Sequence, residues 1–167
     1  MKETAQGAVS RAALDRDLAE LHDRLLQMGE QVDRAVGEAM QALRQADRDT
    51  ALRLIAEDAD LNAQRFRVEQ SALETIATQQ PAARDLRAIM AAMSLVIDLE
   101  RMGDHASGIA KSLLRLEPGE PGELPQELER MAEEVQAMLR LALRAYDQQD
   151  PDRQPQQLER RVNRLEN

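Results

Sequence analysis

From Leu14 to Leu43 the residues Leu14, Leu18, Leu21, Leu25, Met28, Val32, Ala35, Ala39 and Leu43 follow one another by steps of three and four. Such spacing lays an unbroken apolar stripe along one α-helix of about 35 residues, on the order of 50 Å long. A rod of that length cannot cover its own stripe, so the chain must supply other long helices to lie against it. It does so twice more before residue 116. Asp47 to Thr50 reads as a turn and cap, followed by a helix carrying Ile55, Ala59, Phe66, Leu73 and Ile76. TQQP (residues 78–81) ends it, and Pro81 suits the first turn of a third helix whose stripe runs Leu86, Ile89, Met93, Val96, Leu99, Met102, Ala106, Ile109 and Leu113.

The composition agrees with an all-α fold. The chain has 43% hydrophobic residues but one Phe, one Tyr and no Trp, so its core is built from Leu, Ala, Met, Ile and Val. Long helices joined by short turns pack as antiparallel neighbours, which predicts a three-helix bundle over residues 11–116. EPGEPGELP then reads as a linker over 117–124, and a fourth helix follows from about Pro125 to Gln148. DPDRQPQQ breaks the pattern, and LERRVNRLEN begins a fifth helix.

The fourth helix does not fit a closed bundle, and an internal repeat explains it. At an offset of 103, eleven of the thirty positions from Glu20 to Asp49 meet an identical residue, among them Leu21/Leu124, Leu25/Leu128, Met28/Met131, Val32/Val135, Ala39/Ala142, Ala42/Ala145 and Asp47/Asp150. Residues 125–167 are therefore expected to be part of a second three-helix bundle, incomplete in this chain.

A formal charge of −9 argues against a nucleic-acid partner, because phosphate backbones are held by clustered Lys and Arg, and base stacking needs aromatic rings. The absence of cysteine removes disulfides, thiolate metal sites and cysteine nucleophiles. The longest nearly apolar run, Ala88 to Ile97, is too short to cross a bilayer, and no signal peptide opens the chain, so a cytoplasmic location is expected.

DLERMGDHASGIA (residues 98–110) holds the densest chemistry. Glu100 and Asp104 lie four apart on one helical face, and without a cation two such carboxylates repel. Asp58, Asn62 and Glu69 form a second oxygen-rich row on the second helix. Two rows of this kind suit a hard cation or an iron cluster, although either would equally serve as a solvated face. His105 either extends the row or pairs with Arg101 or Asp104. Gly103 and Gly108 each weaken the helix by about 1 kcal/mol relative to Ala, which predicts a close neighbour on that side. No Glu-x-x-His, HExxH, phosphate loop, EF-hand or GxSxG motif is present, and no substrate pocket is identifiable.

Four segments, LLQMGEQV (25–32), AEDADLN (56–62), QQPAARDLR (79–87) and DLERMGDHASGIA, in this order and spacing resemble the PhoU family, the phosphate-specific transport system accessory proteins of bacteria. The resemblance implies tandem three-helix bundles, in agreement with the repeat. It implies a cytoplasmic, non-enzymatic negative regulator of phosphate uptake and starvation signalling, whose partners are the ATPase subunit of the phosphate ABC transporter and a phosphate-sensing histidine kinase. Some members bind metal clusters through E(D)xxxD motifs. Carried onto this chain, that implies Glu100 and Asp104 as ligands, with Asp58 and Asn62 from the second helix, for iron, zinc or another divalent metal. Asp98, Arg101, His105, Asp85 and Arg87, which lie within the same matched segments, become candidates for partner binding or support of the site. The chain departs from the family in ending within the expected fifth helix, before a second ExxxD motif. An uncovered apolar face on the fourth helix predicts a homodimer or swapped assembly. Two other readings stand beside this one: a metal-dependent hydrolase or oxidase using the carboxylate rows, and a structural helical scaffold.

Overall fold

The computed structural model describes residues 2–117 and 124–148, with side chains from residue 11 onward. Four helices appear in it: α1 (Lys2–Gln45), α2 (Arg48–Gln79), α3 (Ala83–Arg115) and α4 (Gln126–Gln148), and no strand occurs among the described residues. The expected fifth helix and most of the expected linker lie outside the described residues. α1 starts well ahead of its apolar stripe, because the residues before Leu14 include Ala-rich stretches and no proline to stop it.

Both turns are made by residues in the left-handed region. Ala46 (φ 53°) reverses the chain after α1, and Asp47 then caps α2, its carboxylate accepting from the Asp49 and Thr50 amides at 3.1 and 3.0 Å and from the Thr50 hydroxyl at 2.7 Å. These hydrogen bonds, those from Thr50 foremost, hold the Asp47 carboxyl below its ordinary pKa. Gln80 (φ 48°) ends α2. Pro81 does not enter the first turn of α3 as its sequence context predicts. It follows the left-handed Gln80, where its fixed φ and missing N–H stop the helix, and Ala82 becomes the N-cap instead. Arg48, the first residue of α2, reaches the far end of α3 and donates to the carbonyls of Leu113, Leu114 and Leu116 in the last turn and cap of that helix, where carbonyls run out of intrahelical donors; Leu113 also accepts from the Leu116 amide.

α1, α2 and α3 form an antiparallel three-helix bundle. Leu25, Met28, Val32, Ile89 and Val96 are fully buried at its centre, joined by Leu61, Val68 and Leu99. A second cluster around Ala39, Leu54, Ala106 and Leu113 closes the end near the α1–α2 turn. Gly103 meets α2 as its position predicts: a Cβ there would stand 2.5 Å from Leu61 Cδ1. The prediction fails at Gly108, which has open space where its Cβ would be.

α4 packs antiparallel on α1, and its Leu139 and Leu143 join the first core cluster. The pairing obeys the repeat. Gln136, the counterpart of Asp33 at offset 103, donates to the Asp33 carbonyl (2.9 Å) and carboxylate (3.2 Å). Arg140 donates to Asp33 at 3.1 Å, while Gly37, the counterpart of Arg140, seats Gln136 against its bare Cα. Asp33 to Arg140 and Gln136 to Gly37 are thus images of one another, so α1 and α4 cross about a pseudo-two-fold axis near Asp33 and Gln136. Identical residues nevertheless differ in burial: Met28 is 0% exposed and its counterpart Met131 is 60% exposed.

Truncating Leu25 to Ala removes a side chain at the centre of this packing and is expected to cost about 2–5 kcal/mol of unfolding free energy, whereas Leu52→Ala, on the surface, changes it by less than about 0.5 kcal/mol. Urea denaturation followed by circular dichroism measures both, and equal losses would place the core elsewhere.

Candidate functional site

The segment around residues 98–110 forms the C-terminal half of α3, where α2 runs antiparallel beside it. The helix divides its charged residues between two settings. Asp98 and Arg101 project to solvent and pair with each other at 3.7 Å, and His105 is exposed a turn beyond. Glu100, half-buried, turns instead toward α2, and Asp104, itself exposed, stands at the edge of that face.

Asp104 is brought against Asp58 of α2. The Asp58 carboxyl is pushed above its ordinary pKa, first by burial and then by the neighbouring Asp104 charge, with Lys111 opposing; Asp104 also accepts a hydrogen bond from the protonated form. Asp58 borders a crevice of about 10 Å³ lined also by Gln31, Ala35, Leu61, Gly103 and Ser107, close to the space one water needs. The Ser107 hydroxyl is buried there with no hydrogen-bond partner.

Glu100 and Asn62 are joined by a residue that sequence reasoning passed over. Arg65 places Nε 3.6 Å from Glu100, donates from Nη1 to Glu69 at 3.1 Å and from Nη2 to Asn62 at 3.3 Å. Its guanidinium also covers the Phe66 ring, 4.2 Å from the centroid. The two oxygen-rich rows do face each other, but with a cation already between part of them. Of the four residues put forward as metal ligands, Asp58 and Asp104 converge, and Asn62 and Glu100 meet at Arg65. Among the described residues no three His, Cys, Asp or Glu side chains are grouped so as to hold one metal ion. The set as it stands therefore does not fit a cluster: a metal needs its oxygens within about 2.0–2.6 Å, and a guanidinium fork holds them farther apart.

Asp85 lies elsewhere, in the first turn of α3. It is buried, accepts a hydrogen bond from Arg11 of α1 at 2.8 Å, and sits where the helix dipole favours a negative charge. Arg87 is exposed nearby. These two and the DLER segment do not form one site.

A buried polar pair and two surface features had no signal in the sequence. His22 of α1 and Asp147 of α4 are joined at 2.9 Å, with Tyr146 stacked on the imidazole at 4.6 Å between centroids. A broad hollow of about 860 Å³ lies along α1 and α2, lined by Arg16, Arg24, Arg34 and Arg67 together with Glu20, Asp23 and Glu30. An apolar cleft of about 440 Å³ separates α3 from α4, bordered by Leu95, Leu99, Met102, Val135, Met138 and Tyr146. Only the repeat could have pointed to the α1–α4 contacts, because the partners lie 85 to 125 residues apart.

No helix among the described residues is long and apolar enough to cross a membrane. The PhoU domain matches residues 25–113. A phosphate-specific transport system accessory protein PhoU homolog of Clostridium acetobutylicum is 34% identical over 87% of this chain and 67% of its own length. The homolog of Pseudomonas putida is 36% identical over 81% of this chain, which spans 54% of that protein. In structure, the phosphate transport system regulatory protein PhoU from Streptococcus pneumoniae superposes with a TM-score of 0.69 at 29% identity, over 81% of this chain and 70% of the other.

A carboxyl whose folded pKa is raised contributes stability below its unfolded pKa that is lost as pH rises through the folded value. Asp58→Asn removes that loss and relieves the like-charge contact. It is expected to raise unfolding free energy at neutral pH by roughly 0.5 kcal/mol, with the gain vanishing below the ordinary aspartate range. Denaturation midpoints of the two proteins between acid and neutral pH test the sign, and a gain confined to low pH would contradict it.

Proposed function

The chain belongs to the PhoU family, and from that premise we propose that it is a cytoplasmic negative regulator of phosphate uptake and phosphate-starvation signalling, acting by contact with the transporter ATPase subunit and a phosphate-sensing histidine kinase. The observation that carries this reading is the agreement of sequence and structure with regulatory and accessory proteins of phosphate transport over most of the chain. This chain spans about half to two thirds of those curated relatives, so the partners of the whole proteins are brought to it as a proposal. Regulation by docking needs surfaces rather than a reaction centre. The molecule offers acid-rich helical faces that complement basic partners, and an apolar cleft between α3 and α4. A carboxylate-based hydrolase or oxidase would need converging ligands with an open position, and no observation here favours it.

Self-association belongs to the same proposal. On α4 Met131, Met138 and Leu141 are each about 60% exposed. Three large apolar side chains on one short helix favour cover by a second copy.

Expression in a bacterium lacking its own PhoU tests the regulatory role. Repression of a phosphate-starvation reporter at high phosphate, together with co-purification of the transporter ATPase, is expected. A reporter that stays fully on, with no captured ATPase, would sink the proposal. For the dimer, light scattering should give twice the chain mass, reduced to the chain mass by Met131→Glu with Met138→Glu; a compact monomer before substitution removes it.

A further inference from the structure

We propose that Arg65 is a built-in counter-ion which takes the place of a metal in the acidic row between α2 and α3, so that the first bundle holds this row closed without a bound cation. The inference starts from the donor set. Asn62, Glu69 and Glu100 supply the oxygens a hard cation prefers, from two helices that face each other. All three meet one guanidinium, whose side chain is only 22% exposed, while the side chains of Glu69 and Glu100 are 23% and 18% exposed. Partly buried carboxylates need a compensating charge, and Arg65 supplies it from within α2.

The geometry of the fork makes the two solutions exclusive. Arg65 spreads its nitrogens so that Glu69 and Glu100 meet different edges, with Nε toward Glu100 and Nη1 toward Glu69. Carboxylates held at 3.1 and 3.6 Å from separate nitrogens cannot both reach a central ion. A metal at Glu100 would have to expel Arg65, leaving a cation beside the ion and breaking its contact with the Phe66 ring. The Phe66 ring, 4.2 Å from the guanidinium carbon, adds a cation–π contact that favours this position of the guanidinium. Arg65 Nε is buried with no hydrogen-bond partner, so its contact with Glu100 is one of charge across 3.6 Å. Asp104 is outside this bridge, beside the carboxylate of Asp58, on which Lys111 acts as the opposing charge. The Glu100 half of the DLERMGDH segment is thereby met by a side chain of the chain itself, in contrast to the metal that the family resemblance implies.

Elemental analysis and thermal unfolding of the 167-residue chain, purified without added metal, test this. The unsubstituted protein is expected to carry substoichiometric iron, zinc and manganese, and its Tm should move by less than about 1 °C with either EDTA or excess Mn(II), Zn(II) or Fe(II) chloride. Arg65→Gln keeps hydrogen bonding but removes the charge, and should lower Tm by about 3 °C. Arg65→Glu should lower it further and regain about 5–10 °C on saturation with one of those metals, because the bridge has become a further carboxylate ligand. Stoichiometric metal in the unsubstituted protein, lost on Glu100→Gln, would overturn the proposal, as would an Arg65→Gln protein with an undiminished Tm. If Arg65→Glu does not fold even with metal, a lowered Tm in Arg65→Gln together with a metal-free unsubstituted protein still upholds it. None of these readouts depends on phosphate regulation, so either proposal can fail alone.

Discussion

α1 must satisfy three neighbours on two adjacent stripes, and the rest of the molecule is arranged around that requirement. Leu21, Leu25, Met28, Val32 and Ala39 form the stripe that α2 and α3 cover. His22, Gly29, Asp33, Gly37 and Arg44, turned by roughly 100° about the helix axis, form the stripe that receives α4. The first stripe is apolar and continuous, so it fixes the bundle. The second alternates polar anchors with glycines, and its function is registration. Gly29 shows how close the approach is, since a Cβ there would lie 2.5 Å from Leu143. A helix bound in this way is located by a few polar contacts and two gaps in the side-chain surface, and the hydrophobic term is concentrated in Leu139 and Leu143.

An acidic chain that packs long helices closely must bring carboxylates into partly dry surroundings, and several of them here are answered from another element. Asp85 at the head of α3 is paired with Arg11 of α1, Asp33 with Arg140 of α4, Asp147 with His22, and Glu100 with Arg65. These pairs link helices, so their contribution is to fix how elements are placed as much as to stabilise them. Asp58 is the exception, with another carboxylate as its near neighbour, and its raised pKa follows from that and from burial. Gly103, whose bare Cα receives the Leu61 side chain of α2, lines the same crevice as Asp58.

The helices were legible in the sequence because each is long enough for its period to be unmistakable, and because Asp47 and TQQP mark the turns. The start of α1 was not, since helix continues wherever Ala-rich sequence allows it, with or without an apolar stripe. Pro81 was assigned to the wrong side of the boundary because a proline after a left-handed residue and a proline in a first turn look alike in sequence. The acidic rows were visible as spacing, and their meeting across α2 and α3 followed from antiparallel packing. Which carboxylate meets which group was not visible. Arg65 and Glu100 lie 35 positions apart, and an arginine inside a charged run carries no mark that distinguishes a bridging residue from a solvated one. His22 and Asp147 were hidden for the same reason over a longer interval.

The repeat sets a further constraint on how this fold meets other molecules. α1 and α4 share Leu25/Leu128, Met28/Met131, Val32/Val135 and Ala39/Ala142, and they contact each other through stripes related by a pseudo-two-fold axis. The shared residues are the ones that α2 and α3 cover on α1. On α4 the same chemistry stands open among the described residues, with Met131 exposed where Met28 is fully enclosed. Duplication copies side chains but not their burial, and the free energy of an apolar side chain depends on what covers it. A face that is core in one copy is therefore left partly exposed in the other, Met131 and Ala142 exposed and Leu128 and Val135 half-buried. The cleft beside it, with Leu95, Leu99 and Met102 along its α3 wall, continues that surface onto the first bundle. Leu25 and Leu99 of the α1–α3 core line this cleft together with Leu139 and Leu143, so its walls belong to both the first bundle and α4.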